Sequence, residues 1–214
     1  MLKRAFDIAL SLVGLGVCGG PLALIAVWIR LDSPGPVFYR GVRVGRFGKP
    51  FRIFKFRSMV VDAEKLGPAS TAAEDARLTR SGSFLRKYKL DELPQLMNVL
   101  VGDMSFVGPR PEVQKFVDLY TDQEKEILNV RPGISDWASI WNADEGAVLA
   151  GSDDPDKLYE ELIRPTKLKL QLEYARHHRL WADIRILVCT FVRILRKDWL
   201  PKELAPYGAL AAGG

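Results

Sequence analysis

Ile8-Ala-Leu-Ser-Leu-Val-Gly-Leu-Gly-Val-Cys-Gly-Gly-Pro-Leu-Ala-Leu-Ile-Ala-Val-Trp-Ile29 is a run of 22 residues without a charge. As a helix it would extend about 33 Å, enough to cross a bilayer. Gly19, Gly20 and Pro21 interrupt it near the middle. Pro21 lacks an amide proton and its ring crowds the Val17 carbonyl, so a kink is expected there, eased by two poor helix formers. Both flanks are basic, Lys3 and Arg4 before it and Arg30 after it. If basic flanks mark the cytoplasmic side, both ends lie on that side. A re-entrant helix-break-helix hairpin over residues 1–31 is therefore expected over a simple span. A cleaved signal peptide fits poorly, because the run is too long and no small-x-small site precedes Gly19. Gly14-x-Gly16-x-x-Gly19 spells a dinucleotide fingerprint, but no strand precedes it, so helix-packing glycines are the better reading.

Downstream the character changes. Between Arg30 and Arg57 there are eight basic residues against one acid, Asp32, so this window carries +7 while the chain carries +5. An apolar N-terminus followed by a basic belt is a membrane-surface signature. A nucleic-acid footprint is the lesser reading, since anionic headgroups already account for the belt. At 214 residues, 48% hydrophobic and 27% charged, the rest reads as one globular domain over 32–200 with a tail at 201–214. Cys18 and Cys189 form no motif, and His177-His178 has no metal-ligand spacing.

Asp32-Ser-Pro-Gly-Pro36 should end the apolar segment. Short strands are expected at 37–39, 42–44 and 51–56, with Lys55 and Arg57 on one face. A helix is expected near 60–65 with a loop at Gly67-Pro68, then a helix at 83–88 and another from Asp91 through Leu100, with Pro94 in its first turn. Residues 101–111 read as loop and 112–129 as helix. Another loop opens at Arg131, and 142–157 looks acidic and mobile. From Asp156 to Trp199 the chain reads as helix, broken near Pro165. Its stripe of Ile184, Leu187, Val188, Phe191, Ile194 and Leu195, with Arg185, Arg193, Arg196 and Lys197 outside it, suits an interfacial or a core-facing helix equally. The last dozen residues read as disordered. The expected class is α+β, mostly helical, with a small β-hairpin region and interfacial amphipathic helices.

Two places could carry chemistry. Asp91-Glu92, adjacent at a helix start, cannot face one atom as a dyad but can divide labour, one attacking and the other holding a divalent cation. A solvated pair complementing the helix dipole is the plainer alternative. In Gly108-Pro109-Arg110-Pro111 two prolines fix the backbone around one guanidinium, which suits bidentate capture of a phosphate. Arg131-Pro132-Gly133 repeats this more weakly, and Arg86 could face the same pocket. Gly45-x-x-Gly48-Lys49 is no P-loop, having the wrong spacing and a following proline. These features point to a phosphate-bearing substrate handled at a membrane.

Lys55-Phe-Arg-Ser-Met59, Leu90-Asp-Glu-Leu-Pro-Gln-Leu96 with Asn98-Val-Leu100 and Gly102-Asp-Met-Ser105, Gly108-Pro-Arg-Pro111, and Val130-Arg-Pro-Gly-Ile134 occur in that order. Together they closely resemble the bacterial sugar transferases, the monotopic phosphoglycosyl transferases that begin polysaccharide and glycan assembly on polyprenyl phosphate. The resemblance covers about residues 1–195. It implies that Asp91 attacks the β-phosphate of a nucleoside diphosphate sugar, such as a UDP-sugar. Nucleoside monophosphate would leave, and a phosphosugar held on Asp91 would pass to polyprenyl (undecaprenyl) phosphate. It implies Mg2+ held by Glu92 with Asp91, and Lys55, Arg57, Arg86, Arg110 and Arg131 around the phosphates, with Pro109 and Pro111 fixing Arg110. It implies a re-entrant break at Gly19-Gly20-Pro21, where the family usually has Ser-Pro. The protein would sit in the bacterial inner membrane among its lipids, with catalysis on the cytoplasmic face, in exopolysaccharide or lipopolysaccharide synthesis.

Two departures stand out. The family's Thr-Gly-Trp-Ala-Gln-Val-x-Gly-Arg is here Ser135-Asp136-Trp137-Ala138-Ser139-Ile140-Trp141-Asn142. The family's C-terminal acid is here Gln171, with Glu173 close by. A non-catalytic membrane scaffold of the same fold is the competing expectation. Sugar, nucleobase and oligomeric state are not specified.

Overall fold

The computed structural model describes residues 2–67, 75–196 and 198–208. The apolar run forms one helix, α1 (Leu2–Asp32), with Pro21 inside it. Within it only Gly14 packs closely: a Cβ there would lie 3.1 Å from Leu96, whereas Gly16, Gly19 and Gly20 face open space. The expected glycine packing surface is thus one residue deep. The helix meets the domain at both ends. At its start, Lys3 pairs with Asp183, and Arg4 donates to the carbonyls of Val99 and Leu100. There too the buried Asp7 accepts from the Ser105 hydroxyl and the Phe106 amide. At its other end Ile29 is buried with Phe56 and Leu85, and Leu22, Ile25 and Ala26 pack alongside. Between these anchors Leu12, Val13, Val17, Leu24 and Val27 are exposed.

The strand region is two interleaved antiparallel pairs. β1 (Phe38–Tyr39) pairs with β4 (Lys55–Phe56), and β2 (Val42–Val44) with β3 (Pro50–Arg52). The helix expected near 60–65 is a single 3-10 turn, Ala63–Lys65; Pro68 lies outside the described residues. Thr79 caps α2 (Arg80–Lys87) by accepting from the Gly82 amide. A 3-10 segment, Leu90–Gln95, then leads into α3 (Leu96–Val101).

Residues 101–111, expected as loop, contain β5 (Ser105–Val107), which pairs in parallel with β6 (Gly133–Ser135). Three-residue strands carry too little periodicity to be read from sequence. The helix expected over 112–129 is interrupted, with α4 (Gln114–Val117) and a 3-10 segment, Glu124–Asn129. After α5 (Trp137–Trp141), the acidic stretch 142–157 contains α6 (Glu145–Val148) and most of α7 (Pro155–Leu158). Asp136, Asp144 and Asp154 each accept from a backbone amide at the start of one of these helices, so the acids are caps. Val148 and Leu149 are buried.

A π-helical turn, Tyr159–Ile163, runs into α8 (Arg164–His177). Pro165 sits at the start of α8, where its missing donor is harmless, and the break falls instead before α9 (Leu180–Leu195). α9 is apolar on two faces. Ile186 and Cys189 enter the main core with Ile163, Leu170 and Tyr174, whereas Trp181, Val188, Phe191, Ile194 and Leu195 are exposed. Both expectations for this helix therefore describe one side of it; Lys197 lies outside the described residues. Residues 203–208, expected to be disordered, belong largely to a 3-10 segment, Lys202–Tyr207. It buries Leu204 in the main core, and the Trp141 indole donates to the Gly208 carbonyl.

Candidate active site

Lys89 adopts a left-handed conformation, φ 57°, which reverses the chain after α2 and starts the 3-10 segment that presents Asp91 and Glu92. The pair therefore stands in the first turn of a 3-10 helix. Asn98, fully buried on α3, accepts from the Phe54 amide and donates to the Arg52 carbonyl, fixing the link between β3 and β4 that leads into Lys55. Lys55 Nζ consequently lies 2.8 Å from Asp91 Oδ2 and 3.3 Å from Glu92 Oε1. Asp91 is buried, and its ion pair with Lys55 engages Oδ2.

Arg110 reaches the same pair from the opposite side. Its two terminal nitrogens donate to the two oxygens of Glu92, a bidentate clamp. Burial would push Glu92 up, but Arg110 and then Lys55 outweigh it and hold the carboxyl well below its ordinary range. Glu92 in turn raises Arg110 further. Among the described residues Arg86 carries no ion pair; burial lowers it, against the opposing charges of Asp91 and Glu92.

The loop bearing Arg110 is held at three points. The Gly108 amide donates to the Ser135 carbonyl and the Gly133 amide to that of Pro109, each at 3.0 Å. The loop's backbone passes so close to β6 that a Cβ on Gly108 would meet Arg131 O at 2.3 Å. The third point is Asp136, whose Oδ2 accepts from the Arg110 amide at 3.2 Å and from Gln171 at 2.8 Å. Glu173 is exposed and accepts from Tyr207, so the buried carboxylate beside Gln171 is that of Asp136. Behind the loop, Glu112 is buried with Lys167 at 2.6 Å, and the hydroxyls of Tyr159 and Tyr120 donate to it.

The structure thus brings Lys55, Asp91, Glu92 and Arg110 together, with Arg86 facing them and Pro109 and Pro111 flanking Arg110. It places two other candidates elsewhere. Arg57 is buried and donates to the carbonyls of Ser33 and Pro34, clamping the chain where it leaves α1. Its alternation with Lys55 fixed a face but not the reach of the side chain. Arg131 donates to the Gly102 carbonyl and lines a different cavity. Sequence reading passed over Lys89, Asp136 and Glu112, whose only signal was proximity to the two motifs.

Among the described residues no cluster of three or more metal-ligating side chains occurs. The residues suit a cation held largely by its substrate, because Mg2+ commonly takes one or two carboxylates and completes its shell with phosphate oxygens and water.

Residues 1–197 match the bacterial sugar transferase family model. The chain is 38% identical over 200 residues to a UDP-N-acetylgalactosamine-undecaprenyl-phosphate N-acetylgalactosaminephosphotransferase of Aeromonas hydrophila, covering 91% of this chain and 44% of that protein. It is 38% identical over 196 residues to a UDP-glucose:undecaprenyl-phosphate glucose-1-phosphate transferase of Escherichia coli (89% and 39% covered). It is 37% identical over 213 residues to an undecaprenyl-phosphate galactose phosphotransferase of Salmonella typhimurium (92% and 41% covered). The chain thus spans less than half the length of these relatives.

Proposed function

Since the chain belongs to the bacterial sugar transferase family, we propose that it transfers a sugar 1-phosphate from a nucleoside diphosphate sugar, such as a UDP-sugar, to undecaprenyl phosphate. The observation that carries this reading is the pairing of Asp91 and Glu92 in one turn with Lys55 between them and Arg110 clamped on Glu92. Two cations around two acids form a set that a diphosphate can enter by exchanging partners.

In the first step Asp91 Oδ1, the oxygen not paired with Lys55, attacks the β-phosphorus. A carboxyl–phosphorus bond forms, the bond from the β-phosphorus to the bridging oxygen breaks, and nucleoside monophosphate leaves with that electron pair. Lys55 and Arg110 are placed to neutralise the phosphate oxygens as charge moves onto the leaving group. In the second step an oxygen of undecaprenyl phosphate attacks the same phosphorus, and the Asp91 carboxylate is restored. Glu92 with Asp91 would hold Mg2+, which supplies charge neutralisation at the diphosphate. Glu92 is held ionised by Arg110 and Lys55, the state such a cation requires.

The membrane part of the reading rests on α1, which is long and apolar enough to cross a bilayer by length and composition. Both of its ends attach to the same domain, Lys3 and Arg4 at one and Ile29 at the other. An arrangement with one end across the bilayer would have to break one set of anchors. We read α1 as entering and leaving on the cytoplasmic face of the inner membrane, bent at Gly19-Gly20-Pro21, with the exposed face of α9 at the same interface. A polyprenyl phosphate held in that leaflet presents its phosphate at headgroup level, within reach of a surface-seated catalytic domain.

The test is intact-protein mass spectrometry of detergent-solubilised protein with Mg2+ and a panel of UDP-sugars, without acceptor, beside Asp91→Asn. Gain of one phosphosugar mass in wild type alone, with UMP released, supports the reading. Release of UDP in place of UMP overturns it. Folded protein that releases nothing across a broad panel favours a non-catalytic scaffold.

A further inference from the structure

A second cavity, of about 170 Å³, opens between the start of α1 and the chain around Arg131. Five basic residues line it, Lys3, Arg4, Arg46, Arg131 and His178, against one acid, Asp7. None of Lys55, Asp91, Glu92 or Arg110 lines it, so it is distinct from the candidate active site. We propose that it is a binding site for the phosphate headgroup of an anionic phospholipid; this rests on the membrane-seated reading of α1, though not on the transfer chemistry.

The cations are already aimed. Arg46 donates through Nε to the Asn129 carbonyl at 2.8 Å, and Arg131 through Nε to the Gly102 carbonyl at 2.9 Å. Each keeps both terminal nitrogens, the fork that takes a phosphate, uncommitted among the described residues. Arg4 spends its terminal nitrogens on α3 carbonyls and contributes charge, with no carboxylate paired to it among the described residues. Asp7 and Asp183, the latter paired with Lys3, offset part of this charge and leave Arg46 and Arg131 as the cations whose forks face a ligand.

A free phosphate would satisfy the forks but not the rim. Leu2 precedes Lys3, Phe47 follows Arg46, and Trp181 lies three residues after His178. These three side chains are 71%, 62% and 81% exposed. Exposed apolar side chains close in sequence to cavity-lining residues, two of them on α1 and α9, suit an amphiphile whose phosphate enters the cavity while its chains stay outside. Trp181 is the residue type favoured at the headgroup boundary.

The full chain in dodecyl maltoside would be examined by native mass spectrometry with dioctanoyl phosphatidylglycerol, dioctanoyl phosphatidylcholine or inorganic phosphate. No sugar nucleotide or Mg2+ would be present. The variants are Arg46→Glu, with its side chain at the surface, Asp91→Asn, and Lys125→Glu as a control of equal charge change away from the cavity. One phosphatidylglycerol should be retained in preference to phosphatidylcholine. Arg46→Glu should weaken retention about tenfold, the loss of one charge-assisted contact, while Asp91→Asn and Lys125→Glu retain it. Equal loss in Arg46→Glu and Lys125→Glu, or equal retention of both lipids, would overturn the site. Inorganic phosphate displacing the lipid at the lipid's own concentration would overturn the lipid as ligand. Flotation of the same protein with phosphatidylcholine vesicles reports membrane seating separately, so failure of the site and failure of the membrane reading remain distinguishable.

Discussion

Arg110 and Glu112 stand two residues apart on one loop and take part in opposite kinds of ion pair. Arg110 points forward to Glu92 and is half-buried, whereas Glu112 points back to Lys167 and is enclosed with Tyr159 and Tyr120. The forward pair borders Asp91, and under the proposed function a diphosphate would replace Glu92 on the guanidinium. The rear pair has no competing ligand, and two tyrosine hydroxyls satisfy the remaining acceptor capacity of Glu112. One loop therefore carries an exchangeable contact and a permanent one, and the permanent one holds the exchangeable one in register.

The largest effect should come from the forward side. Asp91→Asn should lose at least about 10³-fold in turnover, roughly 4 kcal/mol of transition-state stabilisation, with thermal stability close to wild type; UMP release and a melting curve check both. The next largest belongs behind the loop. Lys167→Met leaves Glu112 buried and unpaired and should cost about 3–5 kcal/mol of stability. Adding Glu112→Gln to it should restore part of that loss, read as a double-mutant cycle on the unfolding midpoint. Arg110→Lys comes third, keeping the charge but losing the two-pronged geometry. Turnover per KM should fall about 10- to 100-fold with little change in melting temperature. A melting loss as large as that of Lys167→Met would show that both pairs are structural, and the contrast would fail.

How much of this was legible in the sequence follows the range of the forces involved. The apolar run, the paired strands around 38–56 and the Asp91-Glu92 and Pro-Arg-Pro motifs are local patterns and were readable. β5 and β6 were not, because a parallel pair between residues 105 and 135 is a long-range contact with three residues of pattern on each side. The acids of 142–157 read as a mobile stretch, since composition does not distinguish a solvated acid from a helix cap such as Asp144 or Asp154. Arg57 was grouped with Lys55 by the family resemblance and by alternation, which reports the face a residue occupies and nothing about its partner; the carbonyls of Ser33 and Pro34 accept from it. Asp136 stood out only as part of a departure from the family's motif, and its role was not readable because it depends on an amide 26 residues earlier in the chain.

The smallest effect is the one that separates the two pairs by pH. Burial pushes Glu112 up, but Lys167 and the tyrosine hydroxyls more than offset it, so its folded value lies below the ordinary 4.5. A depressed carboxyl contributes stability that is fully present above its unfolded value and is lost as pH falls through the folded one. Burial would lower Lys167, but Glu112 outweighs it and holds it well above 10.5. That contribution is fully present below 10.5 and is lost as pH rises through the folded value. Melting temperature should therefore sag first below about pH 4.5, and the acid sag attributable to this pair should be smaller in Glu112→Gln, which has no carboxylate to protonate there. Arg110→Lys should leave that rear contribution as it is in wild type, because its own partner, Glu92, titrates at the front of the loop. If Arg110→Lys flattened the acid sag as much as Glu112→Gln does, the two pairs would be one coupled network and the loop would not have two independent faces.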